Sequence, residues 1–405
     1  MKPLIALFLL VFMFSASSCK KDSTAEPKQP KPIDLTSKAA EVIASSNAFG
    51  INLFRITALE EDKNMMLSPL SASAALTMLL NGCNTQTYDQ IRDMLGYKDL
   101  SLEEINSAYQ SLVTQLLEVD PGVKLALANA VFYRHDFSFK APYLEAMNKS
   151  FDAEISGLDF SSPTALETIN GWASDKTNGK IDKVLTEIDP LTVMFLMNAL
   201  YFKGTWTYQF KPENTVDGTF HLEDGSEITV AMMSEKIGVK SYYNTNYQAI
   251  ELPYGSKNFA MIIILPDILL DQYLEEFGPD DWEAMTSSID STVVPEDKDI
   301  FLPKFKFEYE KNLNEQLKAL GMTDAFMENM ADLSGISDSK LYVDFVKQNT
   351  FIELNEEGTE AAAVTTIGIY NSINEFIVNK PFIFAIRERT TNTLLFIGKV
   401  EQPEY

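Results

Sequence analysis

The residue types that most often carry out catalysis are scarce in this chain. Its 405 residues include two histidines, His135 and His221, and two cysteines, Cys19 and Cys83. Neither histidine has a metal-ligating or nucleophilic partner at a useful spacing, and the sequence contains no HExxH, GxSxG, P-loop or CxxC motif. A Ser-His-Asp triad stays open, because its members can come from anywhere in a chain. We therefore predict that the protein is not an enzyme and uses no metal and no cofactor, with the histidines in surface or core positions.

Residues 356–366, which read EEGTEAAAVTT, could instead act by a conformational change, in which they are added to a β-sheet as one more strand. In an extended conformation, alternate positions form one small face, which consists of Thr359, Ala361, Ala363 and Thr365. Small side chains let a strand enter between two existing strands without overpacking. Gly358 provides a backbone hinge at which such a movement can start. Glu and Ala are also good helix formers, so local propensity leaves an Ala-rich helix as the alternative.

Short motifs elsewhere in the chain occur in a characteristic order. They are SPLS at 68–71, IN at 169–170, TNGKI at 177–181, NALYFKGTW at 198–206, VAMM at 230–233, LPKF at 302–305, NKPF at 379–382 and FIGKV at 396–400. These motifs, together with EEGTEAAAVT, resemble the serpin family, whose reactive loop is inserted into a β-sheet. The resemblance favours the strand over the helix. It implies an α+β fold, the serpin fold, over residues 38–405, with three β-sheets, eight or nine helices and an exposed reactive-centre loop.

By this resemblance, the function is the irreversible, suicide-type inhibition of serine endopeptidases, with cysteine endopeptidases left open as further targets. The hinge is assigned to Glu356, Glu357, Gly358, Thr359, Glu360, Ala361, Ala362 and Ala363. The implied partner is a target endopeptidase in a covalent complex with a monomeric inhibitor. The alternatives are a non-inhibitory serpin and a surface binding lipoprotein. Non-inhibitory members usually disrupt the hinge with bulky, charged or Pro residues, whereas this hinge is intact.

The position of the reactive bond follows from counting along the loop. With Gly358 as the fifteenth residue before the cut, the bond joins Ser372 to Ile373. The segment up to Pro381 is slightly shorter than is usual in the family, so Tyr370 and Asn371 remain alternatives. Ser372 suits elastase-like or subtilisin-like enzymes, whereas Tyr370 suits chymotrypsin-like ones.

The resemblance also implies structural roles away from the loop. Lys304 and Glu356 match an ion pair at the breach, the entry point of the loop, near Trp206. The shutter, beneath the centre of the sheet, is assigned to Ser68, Ser71, Asn198 and Gln348. Gln348 stands where many serpins have a histidine. Because an amide donates and accepts simultaneously, it can hold the same hydrogen-bond network without pH sensitivity.

The N-terminus predicts export. Lys2 precedes an apolar run over residues 4–14, which is too short to span about 30 Å of bilayer and is followed by small residues up to 18. Residues 1–18 are therefore predicted to be a signal peptide. Cys19 then resembles the acylated cysteine of a bacterial lipobox, and residues 19–37 read as a lipid-anchored tether. We expect an outer-membrane lipoprotein at the cell surface or the periplasmic face. An ordinary signal peptide with a chance cysteine is the alternative.

Composition limits the partners. The chain has 45% hydrophobic and 22% charged residues, which is sufficient for one large core. Its net charge of -25 argues against nucleic acid and against direct binding to anionic membranes, because both attract basic patches. We therefore expect membrane contact only through the lipid anchor. If Cys19 is acylated no disulfide can form, and Cys83 is predicted to be a half-buried structural thiol.

Periodicity predicts mixed α and β structure. Helical spacing occurs at 37–59, 71–80 and 311–320. The nearly continuous apolar runs at 191–202 and 259–265 predict strands covered on both faces. A closing hairpin is predicted from 382–386 and 394–400.

Overall fold

The computed structural model describes residues 31–359 and 374–405, and the structural statements below refer to these residues. Within them lie nine α-helices: α1 (Ser37–Ala58), α2 (Pro69–Leu80), α3 (Thr85–Met94), α4 (Leu102–Leu116), α5 (Ala141–Phe151), α6 (Pro163–Lys176), α7 (Leu270–Glu276), α8 (Pro279–Ser291) and α9 (Asn314–Ala319). Some begin at a side chain that accepts a hydrogen bond from the first turn, such as Thr36 before α1 and Ser68 before α2. These helix starts are therefore determined by local sequence.

The same residues contain fifteen strands: β1 (Met65–Leu67), β2 (Val123–Arg134), β3 (Glu154–Leu158), β4 (Met194–Gly204), β5 (Val216–His221), β6 (Glu227–Tyr243), β7 (Tyr247–Tyr254), β8 (Phe259–Pro266), β9 (Glu296–Pro303), β10 (Phe305–Asn312), β11 (Lys347–Asn355), β12 (Gly358–Thr359), β13 (Glu375–Ile377), β14 (Phe382–Glu388) and β15 (Thr393–Val400). One sheet has nine strands in the order β1-β15-β14-β8-β7-β6-β9-β13, with β5 on β6. Two smaller sheets have the orders β10-β11-β12 and β3-β2-β4. The predicted α+β fold with three sheets is confirmed.

The nine-stranded sheet forms the centre of the core. Every residue of β8, β14 and β15 is buried. One face of these strands packs against α1 and α2, and the other packs against the two smaller sheets. The strand predicted at 259–265 and the hairpin of 382–386 with 394–400 are therefore confirmed, the hairpin being the antiparallel pair β14 and β15.

The two smaller sheets face each other across a gap between β4 and β11. At one end, which we call the upper end, β12 pairs with β11 so that Thr359 lies opposite Leu354. Gly358 also forms a bridge with Thr205, which directly follows β4. Both pairings are antiparallel, so β4 and β11 run in the same direction. Across the part of the chain that the structure describes, no other pairing joins the two sheets.

Two predicted boundaries are wrong, the first because of a long-range strand pairing and the second because of a local turn. The helices predicted at 37–59 and 71–80 agree with α1 and α2, but Lys311 belongs to β10 and α9 begins only at Asn314. Lys311 pairs with Gln348 across the ladder, which outweighs its helical propensity. The strand predicted at 191–202 begins only at Met194, because Thr192 is held in a turn by Asp189.

The end of the predicted tether contacts the body of the protein. The backbone of Lys31 exchanges hydrogen bonds of 2.9 and 2.6 Å with the side chain of Asn258, and Ile33 is buried. The signal peptide, Cys19 and the tether up to residue 30 lie outside the described residues. Between 31 and 359 and between 374 and 405, no helix is both long and apolar enough to cross a bilayer.

Candidate functional site

The upper end of the gap is occupied by the backbone around Gly358. Gly358 has a φ of +145°, and a Cβ atom there would lie 2.1 Å from the carbonyl oxygen of Gly204. Trp206 donates its backbone N–H to the carbonyl of Glu357 at 2.8 Å, and Phe210 donates to that of Glu356 at 3.0 Å. The position therefore requires glycine both for conformation and for close approach. The first residues of the predicted hinge thus lie between the two small sheets.

Thr359 is the last hinge residue that the structure describes before residue 374, and its side chain is buried. Its Oγ1 lies 3.0 Å from the hydroxyl of Tyr254, whose ring stacks on Trp206 at 4.3 Å. The indole N–H of Trp206 donates to the carbonyl of Asn355 at 3.0 Å. Burial raises the pKa of Tyr254, so its hydroxyl stays neutral and can donate or accept. Sequence analysis missed Tyr254, because nothing in its local sequence distinguishes it from other strand tyrosines.

A cavity that is partly open to solvent lies next to Thr359 in the gap. Its walls are mostly apolar and come from both edges of the gap and from the nine-stranded sheet, including Leu200, Phe202, Phe351, Ile352, Ile386 and Phe396. The loop after α6 closes it on the outer side with Thr177 and Ile181. No strand among the described residues therefore occupies the gap directly beyond the point at which β12 ends.

Lys304 and Glu356 form an ion pair at the upper end. Nζ of Lys304 lies 3.1 Å from Oε2 of Glu356, and their side chains are 9% and 2% exposed. Oε1 of Glu356 accepts a hydrogen bond of 2.7 Å from Thr215. Among the described residues Oε2 accepts no hydrogen bond of normal geometry, so the ammonium is near but not aligned. Nζ of Lys304 also lies 4.0 Å from the ring centroid of Tyr405, a cation–π contact that sequence analysis missed.

Gln348 binds both backbone groups of Ser68 beneath the sheet. Its Oε1 accepts from the N–H of Ser68 at 2.8 Å, and its Nε2 donates to the carbonyl of Ser68 at 2.9 Å. The hydroxyl of Ser68 donates to the carbonyl of Leu395 and accepts from the N–H of Ser71. The structure therefore brings Ser68, Ser71 and Gln348 together, and the amide donates and accepts as expected.

Asn198 lies on the opposite edge of the gap, apart from these three residues. Its Nδ2 donates to Oδ1 of Asn129 at 2.7 Å, and Asn129 in turn donates to the carbonyl of Phe151. Sequence analysis missed Asn129. The Oδ1 atom of Asn198 is buried and has no hydrogen-bond partner among the residues described. This edge of the gap thus holds a buried acceptor without a donor.

The remaining candidate residues do not form a reactive cluster. His135 and His221 are exposed, and His221 contacts Glu227 at 3.1 Å. Cys83 was predicted to be half-buried but is buried, because it packs in the core beside α2 and donates to the carbonyl of Leu79. Burial raises the pKa of the thiol, which keeps it neutral and unreactive. Residues 31–359 and 374–405 contain no group of three or more His, Cys, Asp or Glu arranged to hold a metal.

The other predicted site residues lie outside the described residues. They are Glu360, Ala361, Ala362 and Ala363 of the hinge, Tyr370, Asn371, Ser372 and Ile373 at the reactive bond, and Cys19 at the lipidation site.

Comparisons with known proteins agree with this geometry. A family model described as serpin (serine protease inhibitor) matches residues 44–403. The leukocyte elastase inhibitor of Xenopus tropicalis is 36% identical over 374 residues, which cover 88% of this chain and 97% of that protein. The native structure of tengpin, a thermophilic serpin, has a TM-score of 0.82 and 32% identity over 92% of this chain and 97% of its own. Human thyroxine-binding globulin has a TM-score of 0.81 and 28% identity over 91% and 100%. The chain therefore belongs to the serpin family.

Proposed function

We propose that this serpin is an irreversible inhibitor of serine endopeptidases. A target enzyme attacks a carbonyl carbon in residues 360–373, so that an ester to the enzyme forms, the peptide bond breaks and the downstream segment leaves with a new amino terminus. The upstream segment then enters the gap between β4 and β11 as a new strand. The attached enzyme is carried along and distorted before water can release it. The reaction therefore consumes one inhibitor for each enzyme trapped.

The observation that carries the proposal is the agreement of two strand registers. On one side Thr359 lies opposite Leu354, and on the other side Gly358 lies opposite Thr205. In an antiparallel ladder the residue numbers of each pair have a constant sum. That sum is 713 for pairs between the loop and β11 and 563 for pairs between the loop and β4. Position 361 then falls opposite both Ile352 and Phe202. Position 363 likewise falls opposite Thr350 and Leu200.

These positions coincide with the cavity next to Thr359. Its lining includes Phe202, Ile352 and Leu200, the residues that the two ladders place around positions 361 and 363. The sequence has alanine at each position from 361 to 363. Three small side chains can enter this space without displacing its walls. The shape of the gap and the composition of the hinge therefore support the same event.

The registers also give the buried acceptor a donor. Position 365 falls opposite both Asn198 and Gln348, since 563 − 365 = 198 and 713 − 365 = 348. The sequence has Thr365 there, on the same face as Thr359. Its hydroxyl can donate to Oδ1 of Asn198, which has no donor in the structure as described.

Insertion releases free energy that the intact fold retains. Gly358 and Thr359 are already paired, so the new part of the ladder would run from position 360 to position 369, opposite Met194, and would contain 10 positions, since 369 − 360 + 1 = 10. At a net gain of about 1 kcal/mol for each new hydrogen-bonded residue, insertion releases on the order of 10 kcal/mol. The intact protein must therefore be kinetically trapped.

Ser372–Ile373 is our proposed reactive bond, with Tyr370 and Asn371 as alternatives. The similarity to a relative named leukocyte elastase inhibitor supports a small residue before the cut, and thus Ser372. An elastase-like or subtilisin-like enzyme would then be the partner, whereas a chymotrypsin-like enzyme would favour Tyr370.

A non-inhibitory serpin is the second candidate, and the similarity to human thyroxine-binding globulin favours it. A protein of that kind would be cleaved by a protease without retaining it. Purified protein should therefore be incubated with elastase, subtilisin and chymotrypsin and separated on a denaturing gel. We expect a covalent band with the mass of the enzyme plus that of the inhibitor upstream of the cut, and mass spectrometry of the downstream segment, released on denaturation, identifies the cut. Cleavage by all three enzymes without such a band would favour the second candidate.

We further propose that the protein is a bacterial outer-membrane lipoprotein, acylated at Cys19. The order of charged, apolar and small residues before Cys19 supports this proposal. Cys19→Ala should release the folded protein from the membrane fraction, because each buried methylene of an acyl chain contributes about 0.8 kcal/mol. Equal membrane retention of mutant and wild type would show that the anchor lies elsewhere.

A further inference from the structure

Two aromatic rings touch across the lower part of the gap. Phe195 lies on β4, and Phe345 lies two residues before β11. Their ring centroids are 6.2 Å apart with an interplanar angle of 48°. This distance falls within the range of attractive aromatic pairs. The gap that is open beside Thr359 is therefore bridged by a side-chain contact near its other end.

The contact joins the two smaller sheets through a common apolar cluster. Phe195 also packs on Phe160 at 5.4 Å, and Trp172 of α6 belongs to the same cluster. Among the described residues of this cluster, Phe345 alone comes from the side of β10 and β11. Lys347 adds one polar link by donating to the carbonyl of Val184 at 3.1 Å, in the loop after α6.

The register of the gap extends to this contact. Beyond β11, the N–H of Leu313 still donates to the carbonyl of Val346, a pair with the same sum as the β10–β11 ladder. Position 368 then falls opposite both rings, since 563 − 368 = 195 and 713 − 368 = 345. The sequence has Gly368 at this position. A strand without a side chain there meets the least resistance as it passes between two phenyl rings.

We infer that Phe195 and Phe345 form an aromatic clasp that must part before a strand can occupy the full length of the gap. The inference rests on the proposed insertion mechanism and adds residues that set its rate. Insertion as far as position 365 leaves the clasp closed. Only the second stage, beyond position 366, separates the rings. The clasp therefore acts on complete insertion and not on the first movement at Gly358.

Phe345→Ala tests the clasp without any target enzyme. Intact monomer is warmed mildly, and its conversion to a heat-resistant form with the uncleaved loop inserted is followed over time. Loss of one aromatic pair should accelerate conversion roughly tenfold. Phe160→Ala is the matched control, because it removes a ring from the same cluster without a contact across the gap. It should lower the melting temperature but change the conversion rate less than about twofold. Equal rates for Phe345→Ala and wild type, or for the two variants, would overturn the inference.

A second variant tests the register at the clasp. Gly368→Leu places a bulky side chain between the rings, so more inhibitor molecules should be consumed for each enzyme trapped. Adding Phe345→Ala should restore most of the efficiency, because it removes one of the rings. An equal defect of Gly368→Leu with and without Phe345 would contradict the register. If the wild type traps no enzyme, the proposed function fails, while the warming experiment still decides whether the clasp exists.

Discussion

The nine-stranded sheet and the gap differ in whether their buried polar groups have hydrogen-bond partners. In the sheet, Arg387 is fully buried on β14, and its guanidinium lies 2.6 Å from both Glu251 and Asp290. In the gap, Oε2 of Glu356 lacks an aligned donor and Oδ1 of Asn198 lacks any donor in the described ranges. An unsatisfied buried group costs about 1 to 3 kcal/mol, whereas satisfied groups cost little. The sheet is thus a relaxed scaffold, and the gap retains free energy that a new strand can release.

Cutting the loop should have the largest effect on this difference between the sheet and the gap. Limited proteolysis between residues 364 and 373 lets the hinge enter the gap, so the melting temperature should rise by about 10 °C or more. Differential scanning calorimetry of intact and nicked protein measures the change. Ile263→Ala, in the fully buried strand β8, is a control that should lower both melting temperatures alike. An unchanged or lower melting temperature after nicking contradicts the insertion mechanism.

Thr359→Arg should have the next largest effect. Thr359 is buried against Tyr254, and an unpaired guanidinium in that place costs several kcal/mol. Insertion should slow at its first step while the loop stays cleavable, so the number of inhibitor molecules consumed per enzyme trapped should rise at least about fivefold. Glu360→Arg is the control, because alternation directs that side chain to the outer face. Trapping by Thr359→Arg at wild-type efficiency would show that the strand faces the other way or does not insert.

Lys304→Glu should open the upper end of the gap. The change sets a second carboxylate beside the buried Glu356 and removes the contact with Tyr405, at a cost of about 3 kcal/mol. We expect more polymer and more loop-inserted protein after mild heating, measured by native gel. Lys306→Glu is the control, because Lys306 is half exposed and its ion-pair partner, at 3.6 Å, is Glu353 and not Glu356. Monomer recovery equal to wild type would remove the ion pair from the mechanism.

Thr365→Val should have the smallest effect, and it should appear in one state only. The nicked form should lose about 1 kcal/mol of unfolding free energy, because Asn198 again lacks a donor. The intact form should be unchanged. Guanidinium unfolding of both forms measures the difference, with Thr366→Val as an outward-facing control. A loss of the same size in the control would mean that the predicted facing is wrong.

Local sequence predicted the scaffold better than the gap. The strand β8 is apolar along its whole length, so composition alone indicated a strand covered on both faces, and the mostly apolar runs 382–386 and 394–400 indicated the hairpin β14–β15. Gly358 was also predicted to be a hinge, and its backbone has a positive φ in the structure. These features depend on short segments, which is why they are readable without a structure.

The residues that sequence analysis missed act through distant partners. Tyr254 contacts Thr359, which lies 105 positions further along the sequence, and Lys304 contacts Tyr405, which lies 101 positions further along, since 405 − 304 = 101. Phe345 is an ordinary apolar residue in the sequence, and only the structure shows its contact with Phe195 of β4. Periodicity reports which face of an element is apolar but not which side chain lies opposite. Such contacts therefore require the fold.

The start of β4 at Met194 also limits how many residues of the loop can pair with β4. Position 369 falls opposite Met194, so Ser372 lies three residues beyond the end of the ladder, since 372 − 369 = 3. Three extended residues reach at most ~10 Å, and the single residue left to Tyr370 reaches ~3.5 Å. An enzyme acylated at either residue would be drawn against the lower rim of the sheet, more tightly at Tyr370. The closer the cut lies to position 369, the shorter the segment that links the captured enzyme to the sheet and the stronger the pull on that enzyme.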